Sequence, residues 1–192
     1  MKELTVVAAM CGSFCTFAQV LPQWERLAGQ GVWLRPVMSQ AAAGTDTRFG
    51  RADDWKTRLE QAGIAPVITT VDQAEPLGPQ NMADAMVIAP CTGNTLAKLA
   101  AGVVDGPVTM AAKSMLRMNK PVVVAFSTND GLAAAAQNIG RLLNTRNFYF
   151  VPFGQDDPAH KPHSLQADFS LLGETLRQAL EGRQIQPLLR QK

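Results

Sequence analysis

The chain has 192 residues, with 18 basic and 16 acidic side chains and a net charge of +2. Neither sign gathers into a block, which excludes the basic footprint of a nucleic-acid binder. The length fits one domain burying roughly 70% of the unfolded chain's surface, so neither disulfides nor a structural metal are needed for a core.

Met1-Lys2-Glu3-Leu4 leads straight into the apolar run Leu4 to Met10. At about 7 residues, without a cleavage pattern, this run predicts a strand rather than a signal or a membrane span, which needs roughly 18. It ends in Met10-Cys11-Gly12-Ser13-Phe14-Cys15-Thr16, where a helix predicted over Phe17 to Ala28 begins. Gly12 permits close backbone approach and Ser13 offers a hydroxyl beside unsatisfied helix amides, a natural seat for phosphate. A plain helix cap accounts for a Gly-Ser pair equally well.

The second predicted strand, Val32 to Met38, ends at Ser39. A dinucleotide site would need three spaced glycines in the first turn and an acid at the end of this strand; neither is present, so a mononucleotide phosphate fits better. A long loop, Ser39 to Gly50, carries Asp46 and Arg48, and a second long loop runs from Phe153 to His163. Loops of this length in compact domains tend to be functional. Asp53 to Ala62 has helical spacing, and Ala65 to Ile68 and Ala85 to Ala89 read as strands.

Next comes Ala89-Pro90-Cys91-Thr92-Gly93-Asn94-Thr95, opening a helix over Thr95 to Ala101. Hydroxyl, glycine and amide in succession at the carboxyl end of a strand suit the ring edge of a flat cofactor, with a capped loop as the plainer alternative. Lys113 and Arg117, four residues apart, share one helical face that either serves a ligand or is simply solvated. Pro121 to Phe126 and Phe148 to Pro152 are predicted strands, and Ala133 to Leu143 and Ser164 to Leu180 predicted helices. Glu181 to Lys192 reads as a surface tail, leaving one domain over 1–180 and the tail over 181–192.

Continuous apolar strands alternating with helices predict an α/β fold: a three-layer, doubly wound parallel sheet of Rossmann-like or flavodoxin-like type, binding its ligand at the carboxyl ends of the strands. Cys11, Cys15 and Cys91 form no even disulfide framework and point to a reducing, cytoplasmic location. His160 and His163 flank Pro162 and fall short of the roughly four ligands zinc wants, so no metal site is expected.

Pro90-Cys91-Thr92-Gly93-Asn94-Thr95-Leu96-Ala97-Lys98-Leu99-Ala100-Ala101-Gly102 resembles the loop of flavoprotein cysteine decarboxylases and flavin prenyltransferases. Ser127 to Leu132 falls where those decarboxylases place their substrate clamp, and Gln137-Asn138-Ile139 fits the helix after it. A closer resemblance, from Leu4 to Leu188, is to the family of dipicolinate synthase B subunits from endospore formers. It rests on Gly12-Ser13 with Cys15-Thr16, Thr45 to Gly50, Glu75 to Pro79, Pro90 to Lys98, Ser127 to Leu132 and Val151 to Pro158, occurring in that order.

This resemblance implies a role, with the dehydrogenase-like A subunit of dipicolinate synthase, in the aromatising oxidation of a dihydrodipicolinate precursor to pyridine-2,6-dicarboxylate. It also implies flavin mononucleotide (FMN), with Gly12, Ser13 and Ser39 on the phosphate and Pro90, Thr92, Gly93, Asn94 and Thr95 around the ring. The chain departs from the decarboxylases in two places. Their histidine before the fourth predicted strand aligns with Glu75 or Pro76, and their Pro-Ala-Met-Asn clamp is replaced by Ser127-Thr128-Asn129-Asp130.

A dicarboxylate substrate calls for cations, and Arg48 is the first candidate because its fork matches a carboxylate, with Lys113 and Arg117 in reserve. Thr128 and Asn129 complete the expected substrate contacts. Proton removal from carbon needs a base, for which Glu75, Asp46 and Asp130 are candidates, each of which could instead cap a helix or solvate a turn. A homo-oligomer is expected from the family. Two other functions stand beside the oxidoreductase: a non-catalytic binding or scaffolding partner of the dehydrogenase-like chain, and a flavin-dependent decarboxylase or prenyltransferase.

Overall fold

The computed structural model describes residues 3–190; Met1, Lys2 and the last two tail residues, Gln191 and Lys192, lie outside the described residues. Two buried runs, β1 (Thr5–Met10) and β3 (Ala85–Cys91), lie side by side at the centre of a seven-stranded sheet. Side chains 6–10 and 85–91 are buried on both faces, which is why their sequences show no polar alternation. β2 (Trp33–Met38) flanks β1, and β4 (Val122–Thr128) flanks β3, all parallel. β5 (Phe148–Phe150) continues the parallel sheet beside Val122 to Val124.

The helices cover both faces. α1 (Phe17–Gly29) and α8 (Leu172–Leu180) pack on one side; α5 (Gly93–Ala101) and α6 (Pro107–Arg117) pack on the other. Crossovers leave β1 and β3 in opposite directions, so the sheet reverses its winding between these two strands. Such a reversal opens a crevice at the carboxyl ends.

The structure confirms the α/β architecture and changes it in one respect: the sheet is mixed rather than wholly parallel. β6 (Phe153–Gly154) and β7 (Leu165–Ala167) run antiparallel, and β7 pairs Gln166 and Leu165 with Ser127 and Thr128 at the end of β4. The helix predicted over Ser164 to Leu180 is therefore divided into β7, a single 3-10 turn over Phe169–Leu171, and α8. Leu165 and Ala167 are buried while Gln166 is half-buried, a period-two pattern too short to separate from helical spacing. Ala65 to Ile68 supplies only a parallel bridge from Ile68 to Val37 instead of a full strand.

The helix predicted from Ala133 begins at Ala136, forming α7 (Ala136–Leu143), because Asp130 O accepts from Ala133 N and Ala135 N in a turn. Two short helices, α2 (Gln40–Gly44) and α4 (Val71–Ala74), escape a periodicity reading altogether.

The core is mainly aliphatic; its buried rings include Phe17 and Trp24 of α1 and a cluster in which Phe126 packs on Phe150 and Phe153, with ring centroids 6.0 and 4.8 Å away. Burial of each such ring stabilises by about 1.5–3 kcal/mol. The segment after α8 lies against this edge: Gln184 takes a hydrogen bond from Phe150 N and returns one to Phe150 O, both 2.7 Å, while Arg190 N donates to Phe153 O at 2.8 Å. No helix among the described residues is long and apolar enough to cross a membrane.

α6 is set by a close backbone approach at Gly78. A Cβ there would lie 1.9 Å from the Ser114 carbonyl oxygen, and Gly78 N donates to Ser114 Oγ at 3.3 Å. Gly78→Ala should cost about 2–3 kcal/mol by forcing α6 off the sheet. Urea unfolding measures this as a lower midpoint at unchanged slope, and wild-type stability would show that α6 is not held at this point.

Candidate functional site

The ends of β1, β2 and β3 are tied together by backbone. Cys11 N donates to Pro90 O and Ser39 N to Met10 O, both 2.9 Å. The β3–β4 register shifts between Ile88 and Cys91, a bulge that includes Pro90, whose peptide with Ala89 is cis, and pairing resumes at Cys91 opposite Phe126. These ties bring three turns around one cleft of about 340 Å³, lined by Gly12, Ser39, Thr92, Asn94 and Thr95 from the sequence reading. Its size falls at the lower end of small-ligand pockets, roughly 300–1,000 Å³.

The polar groups of the cleft are ordered by their own helix caps. Ser39 Oγ accepts from Ala42 N at 3.2 Å and keeps its proton to donate. Thr92 Oγ1 accepts from Thr95 N at 3.2 Å and lies 3.0 Å from Thr95 Oγ1. Asn94 is exposed. A ring ligand with oxygen and nitrogen edges would find hydroxyl and amide partners here that need no rearrangement, so the donor set fits a flavin. Ser13 sits one residue away from the wall; its carbonyl accepts from Thr16 N at 3.0 Å and Thr16 Oγ1 at 2.8 Å, and its hydroxyl makes no cap bond.

Beneath the cleft, Cys11 and Cys91 are both fully buried. Burial pushes the Cys91 thiol well up, while hydrogen bonding from Cys91 holds Cys11 below its ordinary value, helped by the Thr95 hydroxyl, the Thr92 backbone and the charge of Lys98. Cys15 is exposed on the adjoining turn. Among the described residues no group of three or more His, Cys, Asp or Glu side chains is placed to hold a metal ion.

A second cluster abuts the Thr92–Asn94 turn. A Cβ on Gly93 would lie 2.6 Å from Thr128 Oγ1 and 3.1 Å from Asp130 Oδ1, and the Thr128 hydroxyl donates to that same Asp130 oxygen. Thr128 and Asp130 are half-buried at the end of β4, with Asn129 exposed between them. Asp130 thus stands against the candidate cofactor turn.

The remaining predicted residues lie elsewhere. Asp46 accepts from Ala52 N at 2.9 Å and so fastens the start of α3 (Ala52–Ala62). Arg48 stacks over Phe49 at 4.9 Å from the ring centroid, outside the residues lining the cleft. Glu75 is exposed, 3.9 Å from the Arg117 guanidinium. Lys113 and Arg117 line a neighbouring apolar groove of about 430 Å³ with Leu99, Val103, Leu116 and Phe148; Lys98 and Thr109 line both this groove and the cleft.

Sequence reasoning missed Lys98, Asp105 and Thr109, which also line the cleft. Gly102, at φ +72°, ends α5 in the left-handed conformation that glycine adopts freely and turns the chain back so that Asp105 meets Lys98. The Lys-to-Asp spacing was present in the sequence, but without the turn nothing marked it as a pair.

The family model for Flavoprotein matches residues 1–161. The B subunit of dipicolinate synthase from Bacillus subtilis (strain 168) is 46% identical over 189 residues, covering 98% of this chain and 94% of that protein. The crystal structure of the dipicolinate synthase B subunit from Bacillus halodurans superposes with a TM-score of 0.90 at 45% identity, covering all of both chains. An FMN-dependent cysteine decarboxylase shares the fold, with a TM-score of 0.66 at 24% identity over 92% of this chain and 97% of that one. From the central strands to the turns that frame the cleft, the chain belongs to the Flavoprotein family, within its group of dipicolinate synthase B subunits.

Proposed function

We propose that this protein is the B subunit of a dipicolinate synthase, holding FMN in the cleft between the ends of β1 and β3. With a dehydrogenase-like A subunit it takes part in oxidising a dihydrodipicolinate precursor to dipicolinate during endospore formation, in the cytoplasm. The convergence of Gly12, Ser39, Thr92, Asn94 and Thr95, from three separate turns, on one cleft carries this reading. The kinship with proteins named as B subunits of dipicolinate synthase supports the substrate class.

In this reading the backbone at Gly12 and Ser13 and the Ser39 hydroxyl hold the phosphate, while Thr92, Asn94 and Thr95 orient the ring, with Pro90 and Gly93 shaping its turn. A flavin supplies a two-electron acceptor for the hydride that leaves during aromatisation. Asp130 is the best placed of the three carboxylates to take the carbon proton, since Asp46 is engaged with Ala52 N and Glu75 lies beside Arg117. Thr128 engages one Asp130 oxygen and leaves the other to act as base. Thr128 and Asn129 face the substrate. The apolar groove lined by Leu99, Val103 and Phe148 supports association with further copies of the chain.

Titration of the purified protein with FMN should show saturable binding, and Asn94→Ala should weaken it about fivefold, the value of one lost hydrogen bond. Dipicolinate formed at full rate by the dehydrogenase-like chain on its own, with no flavin bound by this protein, overturns the catalytic reading. Asp130→Asn should lower turnover by tenfold or more while FMN still binds. Unchanged turnover would remove Asp130 from the reaction.

A further inference from the structure

We propose that Lys98 and Asp105 form an exchangeable oxyanion site in the cleft, with the Asp105 carboxylate occupying the place that a ligand's phosphate or carboxylate takes. The inference deepens the reading of this cleft as a flavin and dicarboxylate site and rests on it only for the choice of ligands. Lys98 Nζ lies 2.8 Å from Asp105 Oδ2, and both residues line the cleft together with Ser39, Thr92, Asn94 and Thr95. Among the described lining residues, Lys98 is the one cation and Asp105 the one acid.

Both proposed ligands bring negative charge into this space, yet the other candidate cations are elsewhere. Arg48 stacks on Phe49, and Lys113 and Arg117 open onto the neighbouring groove. An anion entering the cleft therefore meets Lys98. The pair is exposed enough, at 33% and 52%, for water to screen it, and an ion pair in that setting contributes little to stability. Exchange of Asp105 for a ligand oxyanion keeps Lys98 paired, releases Asp105 to solvent, and adds the hydroxyl of Ser39, whose oxygen accepts from Ala42 N but whose proton is free to donate. Such a site selects for charge: a ligand without an oxyanion cannot displace Asp105, whereas FMN, inorganic phosphate or pyridine-2,6-dicarboxylate can.

Binding of FMN, riboflavin, pyridine-2,6-dicarboxylate and inorganic phosphate to the intact protein tests this, with Lys98→Gln, Lys98→Arg and Asp105→Asn as variants. Lys98→Gln should weaken the anionic ligand that uses the site about tenfold and leave riboflavin unchanged, and Lys98→Arg should restore most of the loss. Asp105→Asn should tighten the same ligand threefold or more, because the competing carboxylate is gone, and the gain should shrink in high salt. If FMN responds and the dicarboxylate does not, the site reads the flavin phosphate; the reverse assigns it to substrate. Phosphate bound through Lys98 with no flavin bound at all upholds the site and removes the flavin reading. Equal weakening of FMN and riboflavin by Lys98→Gln, no gain from Asp105→Asn, or no anion bound by the wild type overturns the inference, and a loss of unfolding midpoint alone would mark the pair as a loop clasp.

Discussion

Two backbone hydrogen bonds, Cys11 N to Pro90 O and Ser39 N to Met10 O, fix where three strands stop. Because β1 and β3 are neighbours whose crossovers go to opposite faces, the chain must part where they end, and these bonds set the width of the parting. The polar groups of the cleft belong to the turns made at that point, and their caps hold them in place before any ligand arrives. A site built this way costs little reorganisation when a ligand binds.

The same constraint explains the chemistry of the buried thiols. Cys11 follows the last paired residue of β1 and Cys91 is the last paired residue of β3, so the two buried thiols meet beside Thr92 and Thr95. The close contact of Gly93 with Thr128 and Asp130 joins this floor to the end of β4, which the antiparallel strand β7 keeps from fraying.

The alternation of apolar runs and helical segments was enough to reveal the layered architecture, because strands buried on both faces leave a plain mark in sequence. Ser164 to Ala167 misled for the opposite reason: so short a strand has too few residues to display its period. Gly12, Ser39, Thr92, Asn94 and Thr95 could be read because each follows a strand end, where the fold places ligands. Lys98 and Asp105 could not, since they meet only after Gly102 reverses the chain. Arg48 was attractive by chemistry alone, and its neighbour Phe49 gives it a stacking partner outside the cleft.

A crystal structure of the protein with FMN tests the proposed flavin cleft most directly. The expected result is flavin density at the ends of β1 and β3, with the phosphate within hydrogen-bond reach of Gly12, Ser13 or Ser39 and the ring against Thr92 to Thr95. Flavin ordered away from these turns, with the Ser39 and Asn94 side chains left in water, would contradict it.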